Sequence, residues 1–322
     1  MEFLKTHRGI FIGLGLLALF LIGMGGLVAA TGWEDTRKAL LKINATQLGI
    51  LLALSLINYL TRAARWHILA RALDIPLKLG RNTVFFLGGF ALTLTPARIG
   101  ELIRLRWIKR ATGIAMMQST PIILGDRAAD LAGVALLLLV AALSSYGDAG
   151  GVYGAVLLAV ALAFLATNPR FMAWGVTLLW RSFGRFGRFF AGLRRAAKRL
   201  SAFAAPKTSL PVLALSGIGW FAEAYAFYLL LAWLGADIPL WTAVAIFLFA
   251  MLGGGASGMP GGLGGAEAAM LVLLSLQNVP LDIALAATLV IRATTLWFAI
   301  LIGVIVFPVA EYGRAKNAVE KR

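Results

Sequence analysis

Long apolar runs separated by short basic stretches set the pattern of this 322-residue chain. Crossing the hydrocarbon core of a bilayer takes about 20 apolar residues in a helix. Runs of that order lie near 10–30, 47–69, 116–144, 151–168, 209–234 and 281–307, which predicts six spans. Two shorter runs, 82–97 and 240–258, end in Pro or Gly and read as re-entrant segments that enter the bilayer and turn back. The first run is longer than the ~7–15 residues of a secretory signal core, so it predicts an uncleaved signal-anchor span. The fold class expected is an all-α polytopic integral membrane protein, a single membrane domain over 1–322.

Composition agrees, since 60% of residues are hydrophobic and only 14% charged, against about 25% charged in ordinary soluble domains. The formal charge of +16 could suggest nucleic acid, but the basic residues sit in the connections between apolar runs. They fit instead the rule that cytoplasmic loops retain Lys and Arg. With the N-terminus inside, the segments 1–8, 62–115, 168–208 and 308–322 hold all but five of the 30 basic residues. Of those five, Arg37, Lys38 and Lys42 fall outside and Arg127 and Arg292 within spans. This orientation requires that neither short run crosses, and it predicts both termini on the cytoplasmic side. The loop 170–207 interleaves Arg181, Arg185, Arg188, Arg194 and Arg195 with Phe183, Phe186, Phe189 and Phe190. It reads as an amphipathic segment lying on anionic lipid. Cysteine is absent, which removes thiolate ligands and a cysteine nucleophile.

The chain repeats itself. Asp74-Ile75-Pro76-Leu77 returns as Asp237-Ile238-Pro239-Leu240. Pro76 to Pro96 is 20 residues and Pro239 to Pro260 is 21; Glu101 to Arg127 is 26 and Glu267 to Arg292 is 25. Repeat 1 covers 47–144 with a hairpin at about 82–110, and repeat 2 covers 209–307 with a hairpin at about 240–277; 151–168 connects them. By the charge rule the two hairpins enter from opposite faces, the inverted-repeat plan of secondary transporters, whose sites sit at discontinuous helices near the midplane.

Pro96 and Pro260 each end a helix, because proline lacks the amide hydrogen and clashes with the preceding turn. Gly100, Gly261, Gly262 and Gly264 loosen the backbone at the same places. Non-helical backbone at that depth must be buried in protein or line a wet cavity. Glu101 and Glu267 follow the breaks, at the start of half-helices where a carboxylate is favourable; they read as helix-start residues or as cavity carboxylates. Arg127 and Arg292 lie within spans, where an unpaired guanidinium costs at least ~2.5–3.5 kcal/mol. One reading has the two forks bind a lipid phosphate. Another has Arg127 pair with Asp126 or Asp130, or each Arg pin its own hairpin through Glu101 or Glu267; both can hold together. Asp126, Asp130 and Glu223 complete the intramembrane carboxylates. Arg62, Arg65, Trp66 and Arg98 read as interfacial anchors. His7 and His67 offer no metal spacing, and no metal site, cofactor or catalytic residue is predicted.

At these residues the sequence resembles a known family. Arg65-Trp66, Thr95-Pro96-Ala97-Arg98-Ile99-Gly100-Glu101 with Arg104, Asp126-Arg127 with Asp130, and Pro260-Gly261-Gly262-Leu263-Gly264 with Glu267 and Arg292 look like the lysylphosphatidylglycerol synthase transmembrane-region family. The similarity includes the flippase half of the bacterial multiple peptide resistance factor, without its synthase domain. The resemblance implies a flippase that moves a phospholipid or lipid-linked head group through a midplane cavity between the hairpins. It implies a multi-pass protein of the bacterial inner membrane, with envelope-synthesis enzymes as partners. The rival readings are a glycosyl or head-group transferase and an accessory subunit of envelope lipid or glycan synthesis.

Overall fold

The computed structural model describes residues 41–95, 99–144, 200–203 and 205–313, together with positions 34, 37 and 38. The expected spans 10–30 and 151–168, nearly all of the basic loop 170–207, and Pro96 and Arg98 lie outside the described residues. Every regular element described is helical: α1 (Ala45–Ala72), α2 (Leu79–Gly88), α3 (Ile99–Thr112), α4 (Pro121–Ser144), α5 (Pro206–Leu234), α6 (Leu240–Ala256), α7 (Gly265–Leu276), α8 (Leu281–Arg292) and α9 (Phe298–Tyr312). A π-helical turn, Ala293–Trp297, joins α8 to α9. Four helices among the described residues are long and apolar enough to cross a bilayer: Ala45–Ala72, Met116–Ser144, Pro206–Leu234 and Leu281–Tyr312. They fall on four of the six runs picked out by hydropathy.

Local chemistry sets the ends. At the start of α1, Asn44 N donates to Gln47 Oε1 and Gln47 N to Asn44 Oδ1, both at 2.9 Å. This is a reciprocal capping box that satisfies two of the amides a helix start leaves free. The repeated Asp-Ile-Pro-Leu follows a long helix in both halves. Its register against the helix end differs, because the left-handed residue is Asp74 (φ 59°) in the first half and Gly235 (φ 90°) in the second. In each case an amide just beyond returns to the helix end, Ile75 N to Ala70 O at 3.1 Å and Ala236 N to Leu231 O at 2.9 Å. The shared tetrapeptide thus marks one corner built with two backbone solutions.

Both short apolar runs form a helix, a break and a second helix. In the first, α2 tightens into a 3₁₀ turn at Gly89–Leu92 before α3 begins at Ile99. In the second, α6 ends at Ala256, a 3₁₀ turn covers Pro260–Gly262, and α7 begins at Gly265. The arms α6 and α7 pack closely. A methyl group added at Gly254 would lie 2.8 Å from Ala266 Cβ, a contact that glycine alone admits.

The chain divides into two compact units. One comprises residues 1–58, 89–100 and 221–305, the other 59–88, 101–220 and 306–322. In the first unit, Phe227 and Phe247 (ring centroids 5.8 Å apart) centre a core with Leu230, Leu231, Val244 and Leu285. In the second, Trp107 packs against Phe85 and Phe307, and its indole Nε1 donates to Glu311 Oε2 at 2.6 Å. Arg81 caps the C-terminal end of α9 by donating to Gly313 O at 2.8 Å, where unpaired carbonyls favour a cation.

The distribution of polarity is that of a membrane protein. Leu136, Leu139 and Leu143 form an exposed stripe on α4, and Leu301, Val304 and Ile305 another on α9. Meanwhile Arg65, Arg104, Asp126, Asp130, Glu267 and Arg292 are buried. Apolar faces meet lipid and charged groups face protein, as a hydrocarbon solvent demands.

Candidate functional site

In the second unit, the breaks in polarity along α1 and α4 meet. Asp126 and Asp130, four residues apart, share one face of α4; Arg62 and Arg65, three apart, share one face of α1. Arg65 is wholly buried and donates to Asp126 Oδ1 from Nε (3.0 Å) and Nη2 (2.6 Å), and from Nη2 to Asp130 Oδ1 (2.8 Å). Its Nη1 donates to Ser216 Oγ at 2.9 Å, and that hydroxyl donates to Ala129 O at 2.6 Å. Gly133 makes the approach possible, since a methyl group there would stand 2.4 Å from Ser216 Oγ. Asp130 also accepts from Arg62 Nη2 (3.3 Å) and Trp220 Nε1 (3.1 Å).

Arg127 lies at the edge of this cluster, with one third of its side chain exposed. It reaches Glu101 Oε1 at 2.9 Å, Asp130 Oδ2 at 3.1 Å and Asp126 Oδ2 at 3.2 Å. Arg104 is buried over the faces of Phe86 (4.1 Å) and Trp66 (5.3 Å), an arrangement in which ring quadrupoles hold a cation without neutralising it.

The first unit holds a smaller version. Arg292 Nε donates to Glu267 Oε1 at 2.5 Å, and Nη2 donates to Gly261 O at 2.8 Å. One guanidinium fork therefore joins the start of α7, the glycine break and the end of α8. Gly261 has φ 65°, and a methyl group there would lie 3.1 Å from Leu94 Cδ2 and 3.4 Å from Leu296 Cδ1. Leu94 lies in the break between α2 and α3, so the two breaks adjoin each other within this unit.

Side chains also serve the backbone groups that the breaks free. Thr93 Oγ1 donates to Phe90 O and Thr95 Oγ1 to Leu92 O at the first break, and Ser257 Oγ donates to Gly254 O at the second. Glu267 Oε2 is buried and has no hydrogen-bond partner.

Glu101 and Glu267 are each the third residue of their half-helix. Glu101 meets Arg127 and Glu267 meets Arg292, the pairing that spacing had offered as one alternative. Gly100 lies in the first turn of α3, while Gly262 (φ 68°) and Gly264 (φ 79°) shape the second break. Glu223 is buried on α5. Arg65 and Trp66, expected as interfacial anchors, are both 0% exposed and packed against protein. The reason is electrostatic, because Asp126 and Asp130 draw that turn of α1 toward α4 and Trp66 goes with it, while Arg62 keeps partial exposure. Ser216 and Trp220 escaped sequence reasoning, since a serine and a tryptophan on an apolar helix carry no distinctive spacing. The carboxylates of Asp126 and Asp130 are occupied by guanidinium and indole donors, the opposite of a pair held ready for a cation.

This geometry lies within a recognisable sequence framework. Residues 9–303 match the family described as the lysylphosphatidylglycerol synthase TM region. The chain belongs to that family. A relative from Methanothermobacter thermautotrophicus, a UPF0104 membrane protein, is 25% identical over 329 residues, covering 94% of this chain and 95% of its own length. This member of the family is a multi-pass helical membrane protein, and the ion clusters fall on the motifs that suggested the family from sequence.

Proposed function

We propose that this chain is a lipid translocase, which lets the head group of a phospholipid or lipid-linked intermediate cross the bilayer while its tails stay in the hydrocarbon. The observation that carries the reading is the adjacency of the two helix breaks, Leu94 against Gly261, beside the buried Glu267–Arg292 pair. Broken helices with satisfied backbone groups provide a polar interior surface that an unbroken bundle lacks. A head group needs such a surface, since a charge at the bilayer centre is otherwise costly. The opposed re-entrant arrangement of the hairpins, both termini on the cytoplasmic side, and placement in the bacterial cytoplasmic membrane belong to the same proposal.

In this mechanism the arginines have two tasks. Arg127 and Arg292 hold the ends of the hairpins through Glu101 and Glu267, and they exchange part of that bonding for a phosphate as the head group passes. Glu101 and Glu267 receive the proton-donating groups of the head group, or the arginines alone once it has left. The basic loop 170–207 holds the protein against anionic lipid, and envelope-synthesis enzymes supply or consume the lipid carried.

The test is reconstitution into liposomes with fluorescent lipids of anionic, zwitterionic and aminoacylated head groups, followed by chemical quenching of the outer leaflet. Faster loss of inner-leaflet signal than in protein-free vesicles is expected for at least one class. Rates equal to empty vesicles across all of them would remove the proposal.

A further inference from the structure

The first unit carries an aromatic row as well as its ion pair. Phe221, Tyr225 and Tyr228 recur at i, i+4 and i+7 and so share one face of α5. Their ring centroids stand 5.8 and 5.9 Å apart, with interplanar angles of 18° and 29°. Trp241, in the first turn of α6, extends the row at 6.0 Å from Phe221. All four rings are partly exposed, whereas Phe227, next to Tyr228 in sequence, is wholly buried in the core. Membrane tyrosines and tryptophans ordinarily gather at the two interfaces, but this row lies midway along α5. At that depth a phenol needs a hydrogen-bond partner. Among the described residues, the hydroxyls of Tyr225 and Tyr228 have none.

One more polar atom of this unit is open. Glu267 Oε1 is taken by Arg292, while Oε2 is buried and has no partner among the described residues. Room exists close by in the chain, since a methyl group added at Gly264, three residues earlier, would meet nothing within 4 Å. From α6 to the end of α7, Glu267 is the one charged residue, and Arg292 balances it.

We infer that the lipid this chain carries bears an uncharged polyhydroxyl head group, a sugar ring, which passes along the aromatic row and donates a hydroxyl to Glu267 Oε2. Hydrogen-bonding capacity selects the class. A sugar hydroxyl both donates and accepts, as a phenol does, so it completes Tyr225 and Tyr228 in either direction. An ammonium carries three donors and no acceptor. At the single free oxygen of Glu267 it leaves donors unmet, and it adds a charge to a balanced pair. An acyl chain covers the rings but leaves both phenols and the carboxylate oxygen unsatisfied. The C–H faces of a sugar pack on rings that combine an apolar body with a polar edge.

The inference rests on the translocase reading for the lipid as cargo and deepens it by naming the class of head group. Its test measures binding. Glycolipid binding without any scrambling would remove the translocase reading alone, and scrambling without such binding would remove this inference alone. Thermal unfolding of the purified full chain, in a polyoxyethylene ether detergent that contains no sugar, is followed by tryptophan fluorescence. The protein is titrated with dioctanoylglycerol bearing one glucose or one galactose. Parallel arms use plain dioctanoylglycerol, dioctanoyl phosphatidylethanolamine and free glucose. At least one glycosyl lipid is expected to raise the midpoint saturably, and the three parallel arms to raise it far less.

Tyr225→Phe/Tyr228→Phe keeps both rings and removes both hydroxyls. Its ligand-free midpoint should match that of the wild type, because the hydroxyls have no protein partner to lose. Its apparent affinity for the glycosyl lipid should fall about tenfold, the scale of two neutral hydrogen bonds. Tyr312→Phe, which removes a hydroxyl at an 83% exposed position on α9, should keep the full shift.

Glycosyl-lipid shifts no larger than that of dioctanoylglycerol overturn the proposal, as does an undiminished shift in the double variant. An equal shift from phosphatidylethanolamine overturns the preference for an uncharged head group, and an equal shift from free glucose overturns the lipid as bearer. Should the double variant not fold, native mass spectrometry of the wild type from an equimolar mixture of glucosyl dioctanoylglycerol and dioctanoyl phosphatidylethanolamine decides. Selective retention of the glucosyl lipid upholds the site, and equal retention removes it.

Discussion

Arg65 grips a single oxygen of Asp126 with two of its nitrogens, Nε at 3.0 Å and Nη2 at 2.6 Å, and neither side chain is more than 1% exposed. Such a pair has no water to fall back on. Removing one partner strands the other, at a cost of about 3–5 kcal/mol. Arg65→Met should therefore destabilise the protein by that amount in a denaturation series from mixed micelles. Asp126→Asn, which keeps a carbonyl acceptor for Arg65, should be milder. The double variant Arg65→Met/Asp126→Asn should fall short of the sum of the two singles. Additive losses would show that the pair is not coupled.

The crossing of α4 and α5 depends on Gly133, because Ser216 occupies the space a side chain would need. Gly133→Val should destabilise by about 1–3 kcal/mol, the usual range for overpacking. Ser216→Gly opens that space but leaves Arg65 Nη1 without its acceptor. Combining it with Gly133→Ala should recover packing and not the hydrogen bond. The thermal midpoint of the combination is expected to lie between that of Gly133→Val and that of the wild type. A midpoint no higher than that of Gly133→Val would place the essential contact elsewhere.

The second break contains its own control. Gly258 and Gly262 both have positive φ, 69° and 68°. An added methyl group meets open space at Gly258, whereas at Gly262 it stands 3.3–3.4 Å from the backbone of Gly254. Alanine at Gly258 carries only the left-handed penalty of about 1–2 kcal/mol, and alanine at Gly262 carries that penalty plus displacement of α6. Unfolding curves for the two variants should differ in that order. Equal losses would mean that α6 and α7 are free to part.

Part of this architecture was legible because hydrocarbon is an exacting solvent. Span length follows from a single physical requirement, and the runs at 47–69, 116–144, 209–234 and 281–307 coincide with long helices. The pairs Glu101–Arg127 and Glu267–Arg292 were among the alternatives that the sequence offered, since these landmarks stand 26 and 25 residues apart. The burial of Arg65 was not legible, because position near the end of a span does not reveal which way a helix face turns. That depends on counter-charges 61 and 65 residues away. The role of Ser216 and the crossing at Gly133 are products of packing, which one-dimensional periodicity does not encode. The π-helical turn after Arg292 likewise has no signature in the pattern of apolar positions.

Arg292 combines two bonds that only a fork can make together, one to Glu267 and one to the carbonyl of Gly261. Lysine offers a single ammonium and serves one acceptor well. Arg292→Lys should keep the charge balance with Glu267 and lose the hold on the break, so that the carbonyl of Gly261 is left without its donor. A lost charge-assisted bond is worth about 1.5–3 kcal/mol, and a stability decrease of that order is expected. Glu267→Gln tests the same junction from the other side, because its amide oxygen can still accept from Arg292 Nε while its amide nitrogen replaces Oε2. If the junction only supports the fold, Glu267→Gln should lose some stability, because Arg292 keeps its charge, and retain lipid scrambling in the folded protein. If Oε2 meets the head group as it passes, this variant should stay folded and scramble more slowly. Proteoliposome scrambling rates, measured beside the unfolding midpoint of each variant, separate the two outcomes. The translocase reading expects the second, and full activity in Glu267→Gln would remove Glu267 from the path of the lipid.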